Sequence, residues 1–286
     1  MKQVNEKYIA SESIPAQLID SIIAEISPFT TCLLKGQNSN VENPIPLIAS
    51  GTFVSAYNLN CILTAHHVAN EIRNCDALGL SILSDQHQFW IKRADFRIVD
   101  VGTPADITKP CEGPDIAVII LLSQSKVASI KAAGKVFYNL EKRLSVVLEN
   151  PQPTKLGLWF VVGFPGKWRT STRTTGNFEF LIGNLGLFGY GPVKSELDLH
   201  GFDLVDLGVN YNTSGLPDTF GGVSGGGLWH VLLQEKEDGS LGFHAPILSG
   251  VAFCEMLEKG VVNSVRSHGR RSIYERAYEA LKNYSH

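Results

Sequence analysis

The chain has 286 residues, of which 44% are hydrophobic, and it contains 27 glycines and 13 prolines. This composition indicates a globular, turn-rich protein, and the length suffices for one large or two small cores. The net charge of −3 argues against nucleic acid and anionic membranes as partners. No window approaches the roughly 18 apolar residues of a membrane span, and no signal-peptide core stands at the N-terminus, so we expect a soluble, unsecreted protein.

A helix is predicted over residues 13–26. Apolar residues recur there at helical spacing, Ser13 can cap the first turn, and Pro28 ends the pattern. An apolar stripe of this width has to be buried. We expect the helix to pack on the body of the protein, with a docking helix for a partner as the alternative.

From residue 29 the pattern changes to short strand-like runs separated by turns, which is typical of a β-barrel. The first half has predicted strands at 31–35, 47–57, 60–66, 78–84, 88–92, 96–101 and 115–122, with a brief helical turn at 67–72. Residues 124–140 are expected to connect the two halves. The second half has predicted strands at 144–148, 157–162, 177–182, 202–207, 227–233 and 245–253, and Ser272 and Glu275 form a capping-box pattern for a final helix ending at residue 284.

Ser224 lies among five glycines, in the sequence Gly-Gly-Val-Ser-Gly-Gly-Gly of residues 221–227. Glycines allow a substrate carbonyl to approach the backbone, so the amides of Gly222 and Ser224 could stabilise an oxyanion. The same pattern also fits the nucleophile elbow of α/β-hydrolases, a flexible turn or an anion-binding nest. A serine nucleophile therefore needs support from elsewhere in the chain.

That support comes from two upstream residues. His67 follows a strand-like apolar run, and Asp115 opens a β-branched run that is predicted to be a buried strand. The chain order His67, Asp115, Ser224 is that of chymotrypsin-type enzymes, whereas α/β-hydrolases place serine first.

The sequence resembles the chymotrypsin-like (trypsin-like) serine peptidases, and most closely their bacterial single-domain, intracellular members. The likeness is carried by Thr-Ala-His-His-Val at 64–68, Asp-Ile-Ala-Val at 115–118, Gly-Val-Ser-Gly-Gly at 222–226 and Val-Val-Gly-Phe-Pro-Gly at 161–166. It places His66 where the family has alanine, and it therefore favours His67 as the catalytic histidine.

The resemblance implies an all-β fold of two packed six-stranded antiparallel β-barrels. The expected divisions are a helical extension at 1–28, a first barrel at 29–123, a connection at 124–143, a second barrel at 144–268 and a terminal helix at 269–286. The implied activity is endopeptidase cleavage of a protein or peptide substrate by His67, Asp115 and Ser224, with the amides of Gly222 and Ser224 as oxyanion hole. The alternatives are a non-catalytic interaction module, controlled or not by a partner, and an esterase with the same triad.

Two acids are candidates for a substrate-binding role. Asp218 lies six residues before Ser224, where the resemblance implies the base of the primary specificity pocket, and Glu255 follows a strand expected to form another wall. Together they predict cleavage after Arg or Lys, because a charge-assisted pair is strong in a low-dielectric pocket. Asp218 could equally face solvent in a turn. The Arg- and Thr-rich stretch 167–175 is interpreted as a gate or as a plain surface loop.

The five cysteines are odd in number and lack the close spacing of metal ligands. We expect five reduced thiols, a cytoplasmic location, no metal and no cofactor. A regulatory protein partner is left open, because Val223 stands where activatable family members have an aspartate. The segment Arg-Ser-His-Gly at 266–269 has no sequence-based explanation.

Overall fold

The computed structural model describes residues 14–36, 47–82, 88–106, 108–166, 169–174, 178–183, 186–188, 191–209 and 219–285. Its strands form two large, mainly antiparallel sheets, one from each half of the chain, and helices lie at both ends. The prediction of an all-β fold of two antiparallel β-barrels with an N-terminal and a C-terminal helix is therefore confirmed, each barrel being formed by one curled sheet.

The first sheet is built from residues before 140. Its strands are β1 (Thr30–Gly36), β2 (Leu47–Ala56), β3 (Leu59–Thr64), β4 (Ala77–Ser81), β5 (Gln88–Lys92), β6 (Phe96–Gly102), β7 (Ile116–Leu121) and the short β8 (Tyr138–Asn139). They are ordered β5-β4-β1-β2-β3-β7-β6, and β8 pairs parallel with β2. The continuous path thus has seven strands instead of six, and β8 lies in the predicted connection.

The second half contains β9 (Leu158–Gly163), β10 (Arg169–Thr174), β11 (Phe178–Gly183), β12 (Gly186–Phe188), β13 (Val193–Leu199), β14 (Phe202–Gly208), β15 (Gly227–Val231), β16 (Leu233–Glu235), β17 (Leu241–Phe243), β18 (Ile247–Glu258) and β19 (Val261–His268). The main sheet runs β12-β9-β15-β18-β19-β14-β13, again seven strands. The pairs β10–β11 and β16–β17 form separate hairpins.

Five α-helices accompany the sheets in the described residues: α1 (Ala16–Ile26), α2 (His66–Arg73), α3 (Gln124–Ala132), α4 (Leu144–Leu148) and α5 (Tyr278–Ser285). Short 3₁₀ turns occupy Ser27–Phe29, Arg93–Asp95 and Glu141–Arg143, and a π-helical turn, Ser272–Ala277, leads into α5. The N-terminal helix was predicted correctly. Its Ile22 and Ile26 are fully buried in a core that both sheets share, so α1 is part of the body of the protein.

Two local predictions were wrong. Residues 144–148 form α4 and not a strand, because helical spacing puts Leu144, Val147 and Leu148 on one face against the core while Val146 stays exposed. The stretch predicted as the loop 167–175 contains β10, in which alternate threonines suit a strand paired with β11.

A side chain of strand β14 caps the start of the C-terminal helix. The carboxylate of Asp203, on β14, accepts hydrogen bonds from the backbone N–H groups of Arg271 (2.9 Å) and Ser272 (2.7 Å). The Ser272 hydroxyl donates to the same carboxylate at 2.7 Å, so it does not form the predicted capping box. A side chain distant in sequence satisfies the free amides of the first turn.

Candidate active site

His67 lies at the start of α2, directly after β3 has brought the chain out of the sheet. Its Nδ1 is 2.6 Å from Oδ2 of Asp115, and its backbone N–H donates to Oδ1 at 2.9 Å. Because Nδ1 carries the proton of this contact, Nε2 is left as an acceptor on a side chain that is 49% exposed. The neighbouring His66 faces elsewhere, with Nε2 3.5 Å from Oδ1 of Asp100.

Asp115 directly precedes the fully buried strand β7, and its side chain is 2% exposed. Both carboxylate oxygens are used by His67. A buried carboxylate that receives two hydrogen bonds from one residue fixes the position and the tautomer of that residue. The structure thus brings together the predicted histidine and the predicted acid.

Ser224 lies in the turn region before β15. The first sheet holds this region in place: the backbone N–H of Ser50, on β2, donates to the Ser224 carbonyl at 2.9 Å, and the Ser50 hydroxyl donates to the Gly222 carbonyl at 2.8 Å. Gly225 packs so closely against Ser50 and Thr64 that a side chain there would overlap both. Since Thr64 ends β3, the serine loop lies against the strand that leads to His67.

The Ser224 hydroxyl donates to the carbonyl oxygen of Phe253, on β18, at 3.3 Å. A hydroxyl has one proton to donate, so in this arrangement it does not donate to His67. The hydroxyl must give up its hydrogen bond to Phe253 before His67 can accept that proton.

The turn at residues 220–223 shapes the predicted oxyanion hole. The Val223 N–H donates to the Phe220 carbonyl at 2.9 Å, and Gly222 has φ = +96°, as the third residue of a type II turn requires. The Gly221 carbonyl accepts a 2.7 Å hydrogen bond from the N–H of Gly166. Carbonyl and N–H point to opposite sides of a trans peptide, so the Gly222 N–H points away from Gly166.

Glu255 is the predicted substrate-binding acid whose contacts can be described. Its carboxylate accepts hydrogen bonds from the Thr219 hydroxyl, at 3.0 and 3.2 Å, and from the Phe220 N–H at 2.8 Å. It therefore borders the turn that precedes Ser224. Asp218 lies outside the described residues.

The expectation of five separate thiols is wrong. Cys111 and Cys254 form a disulfide with a Cα–Cα distance of 5.6 Å, while Cys32, Cys61 and Cys75 are buried thiols. The two partners are 143 positions apart in sequence, too far for spacing to reveal the pair. The bond joins the loop before Asp115 to the strand position before Glu255. The cysteine argument for a reducing, cytoplasmic environment therefore fails.

His268 is a site residue that the sequence analysis missed. It is fully buried, and its Nε2 accepts a 2.9 Å hydrogen bond from the backbone N–H of Asp115. Burial lowers the pKa of His268 to about 4, so the ring is neutral at neutral pH. The only signal was its place in the segment 266–269. Arg266 of that segment is also anchored, by two hydrogen bonds to Asp206, at 2.7 and 2.8 Å, and one to the Cys111 carbonyl.

The described part of the chain contains no group of three or more His, Cys, Asp or Glu side chains arranged to hold a metal ion. None of its helices is long and apolar enough to cross a membrane.

No family model matches the sequence, and no curated protein matches it. Among solved structures, it is similar to the HtrA-type protease AlgW with a decapeptide, at 13% identity and a TM-score of 0.42, covering 93% of this chain and 68% of that one. It is also similar to an inactive serine-to-alanine mutant of Rv3671c from M. tuberculosis, at 12% identity and a TM-score of 0.45, covering 96% and 98%. Similarity at this level assigns no residue role, so the functional argument rests on the site geometry.

Proposed function

We propose that the chain is a serine endopeptidase that hydrolyses protein or peptide substrates, with Ser224 as nucleophile, His67 as general base and Asp115 as its orienting acid. The observation that carries this proposal is the double contact between His67 and Asp115, at 2.6 Å through Nδ1 and 2.9 Å through the backbone N–H. This contact uses Nδ1 and leaves Nε2 of His67 outside it, on a side chain that is 49% exposed.

In the proposed reaction, Ser224 Oγ bonds to the substrate carbonyl carbon while its proton passes to Nε2 of His67. The carbonyl oxygen becomes an oxyanion and accepts hydrogen bonds from the amides of Gly222 and Ser224. When the C–N bond breaks, His67 gives its proton to the leaving amine. Water then attacks the acyl-enzyme with His67 again as base, which regenerates the Ser224 hydroxyl. Asp115 stabilises the imidazolium in both steps.

The same proposal includes a preference for Arg or Lys before the scissile bond. Glu255 already accepts from Thr219 and Phe220, but a carboxylate offers about four lone-pair positions, so it keeps capacity for a cationic donor. Asp218, directly before Thr219, would add a second acid to this pocket. A carboxylate that keeps free lone pairs favours a guanidinium or ammonium group, and a second carboxylate would strengthen this preference.

A second candidate, an interaction module that is inactive or activated by a partner, has one specific observation in its favour. The Ser224 hydroxyl donates to Phe253 and not to His67. A partner or substrate that displaced this hydrogen bond would release the serine for attack.

A fluorophosphonate probe distinguishes these candidates. We expect it to label the native chain at Ser224, with the Ser224→Ala variant as unlabelled control. A correctly folded chain that resists labelling in the presence of peptides would favour the interaction module. Comparison of kcat/KM for matched peptide and simple ester substrates separates a peptidase from an esterase, since an esterase would hydrolyse the ester alone.

A further inference from the structure

His268 lies behind the proposed catalytic acid, and none of the proposed chemical steps uses it. The ring is fully buried between two aromatic side chains, with centroids 4.7 Å from Phe253 and 5.6 Å from Phe202. Its two nitrogens make the only polar contacts described for the ring, to Asp115 and to Ser272. Burying a polar ring is costly unless its hydrogen bonds are made.

These contacts determine where the ring proton lies. Nε2 accepts from the backbone N–H of Asp115 at 2.9 Å, so it cannot carry a proton itself. The proton is therefore on Nδ1, which donates to the Ser272 hydroxyl at 3.3 Å. The Ser272 hydroxyl in turn donates to Asp203 at 2.7 Å. In this series of hydrogen bonds each group donates to the next, from the Asp115 N–H through His268 and the Ser272 hydroxyl to the Asp203 carboxylate.

Asp203, at the end of this series of hydrogen bonds, is held in place by several donors. Asp203 accepts two backbone N–H groups at the start of the terminal helix, so its carboxylate is fixed by three donors. This series of hydrogen bonds thus connects the backbone of Asp115, in the first half of the protein, to β14 and the terminal helix in the second half. Asp115 has its carboxylate held by His67 and its amide held by His268.

His268 also contacts the residue that holds the nucleophile. Its ring packs on Phe253, whose carbonyl oxygen accepts the Ser224 hydroxyl. One buried side chain therefore contacts both the backbone N–H of Asp115 and the residue whose carbonyl accepts the Ser224 hydroxyl.

We propose that His268 is a positioning residue. Its Nε2 accepts the hydrogen bond from the Asp115 amide, and this contact holds the Asp115 carboxylate in the position where it bonds to His67. The expected effect on kcat rests on the proposed function. The His67–Asp115 contact, however, can be observed even in a protein that has no peptidase activity. Its direct signature is the strongly deshielded proton on Nδ1 of His67, which proton NMR detects.

The test compares His268→Leu, which cannot accept a hydrogen bond, with His268→Gln, whose amide oxygen can reach the place of Nε2. We expect His268→Leu to lose or displace the His67 Nδ1 proton resonance and to lower kcat by about 10- to 100-fold, because a small misplacement of a catalytic group has that effect. His268→Gln should restore the resonance and most of kcat. His67→Ala assigns the resonance.

His230 supplies the matched control. It is also fully buried, with a pKa lowered to about 4 by burial, but its ring nitrogens contact the Leu156 carbonyl and Arg270 and none of the proposed site residues. His230→Leu should lose stability while keeping the His67 resonance and kcat. If His268→Leu does not fold, Ser272→Ala replaces it. Without the Ser272 hydroxyl, Nδ1 of His268 has no acceptor, so the ring proton is no longer held on Nδ1 and Nε2 is no longer held as an acceptor. The same His67 resonance should weaken.

Two outcomes overturn the proposal: an unchanged His67 resonance in His268→Leu or in Ser272→Ala, or a His268→Gln variant no better than His268→Leu. A native chain that shows the resonance, loses it in His268→Leu and has no peptidase activity would refute the proposed function and support the positioning role.

Discussion

The backbone N–H of Gly166 donates a 2.7 Å hydrogen bond to the carbonyl oxygen of Gly221. This contact links the segment after β9 to the turn before Ser224 and sets the direction of the peptide between Gly221 and Gly222. A Cβ atom on Gly222 would lie 2.7 Å from the Phe164 carbonyl oxygen and 2.9 Å from the Gly166 nitrogen. The Gly-Phe-Pro-Gly segment therefore supports the turn at residues 220–223 and leaves no room for a side chain on Gly222.

Gly222→Ala should lower kcat by about 10²- to 10³-fold, because the new Cβ has no room beside Phe164 and Gly166 and would displace the N–H of residue 222, a proposed oxyanion donor. The positive φ adds roughly 1–2 kcal/mol of strain to the native state. Gly134→Ala is the control, because Gly134 has φ = +83° and no atom lies within 4 Å of the place that a Cβ would occupy. Kinetics and chemical denaturation separate the two effects. Equal kcat in both variants would contradict the assigned turn.

Ser224→Ala and His67→Ala should each lower kcat by roughly 10⁴- to 10⁶-fold, with the fold retained. Since the residues act as a unit, the double variant should be little worse than either single one. His66→Ala should lose far less activity, because His66 faces Asp100. Steady-state kinetics on a peptide substrate measure all four. Losses that multiply in the double variant would rule out the triad.

Glu255→Gln should lower kcat/KM for substrates with Arg or Lys before the cut by about 10- to 100-fold, the worth of a hydrogen bond to a charged group. The glutamine oxygen can still accept from Phe220, so the turn should persist. Labelling by a fluorophosphonate probe is the control and should not change. A peptide-library profile that shows aliphatic residues before the cut, unaltered by Glu255→Gln or Asp218→Ser, would contradict a basic pocket.

Reduction of the Cys111–Cys254 disulfide should lower the free energy of unfolding by about 2–4 kcal/mol, because the bond closes a long loop. Denaturation with and without dithiothreitol measures this difference. The Cys111→Ser/Cys254→Ser double variant should be equally destabilised and insensitive to dithiothreitol. Alkylation of the unreduced, denatured chain should count three thiols; a count of five would contradict the pairing.

Stability should fall as the pH is lowered from about 6.5 to 4. The buried rings of His230 and His268 have pKa values lowered to about 4 by burial, so in this range the unfolded chain binds more protons than the folded one. Each group contributes a slope of up to about 1.4 kcal/mol per pH unit, with full stability above the unfolded pKa. Denaturation at several pH values should show this slope, and His230→Gln should remove one group's share. An unchanged slope would contradict a neutral, buried His230.

The sequence analysis succeeded where a local pattern determines the structure. Alternating and β-branched runs identified most strands, and helical spacing identified α1. The order of the motifs along the chain predicted that His67 and Asp115 form a pair, and the two side chains are in contact in the structure. Residues 144–148 failed because a five-residue apolar run has no period long enough to distinguish helix from strand.

The missed features depend on residues that are distant in sequence. His268, the disulfide partner of Cys111 and the Asp203 cap all act across more than 65 positions, as their hydrogen bonds and disulfide record. No propensity or spacing rule reports on such pairs, because sheet register decides which side chains meet. Pairing of β14 with β19 places Asp206 opposite Arg266 and Leu204 opposite His268.

The side chain of Ser50 makes the loop that carries Ser224 depend on both halves of the protein. Ser50 belongs to the first sheet, yet its hydroxyl accepts from the Phe164 N–H and donates to the Gly222 carbonyl, so it links two segments of the second half. Its backbone N–H adds a hydrogen bond to the Ser224 carbonyl. We therefore expect the Ser224 loop to keep this geometry only while the two halves are docked.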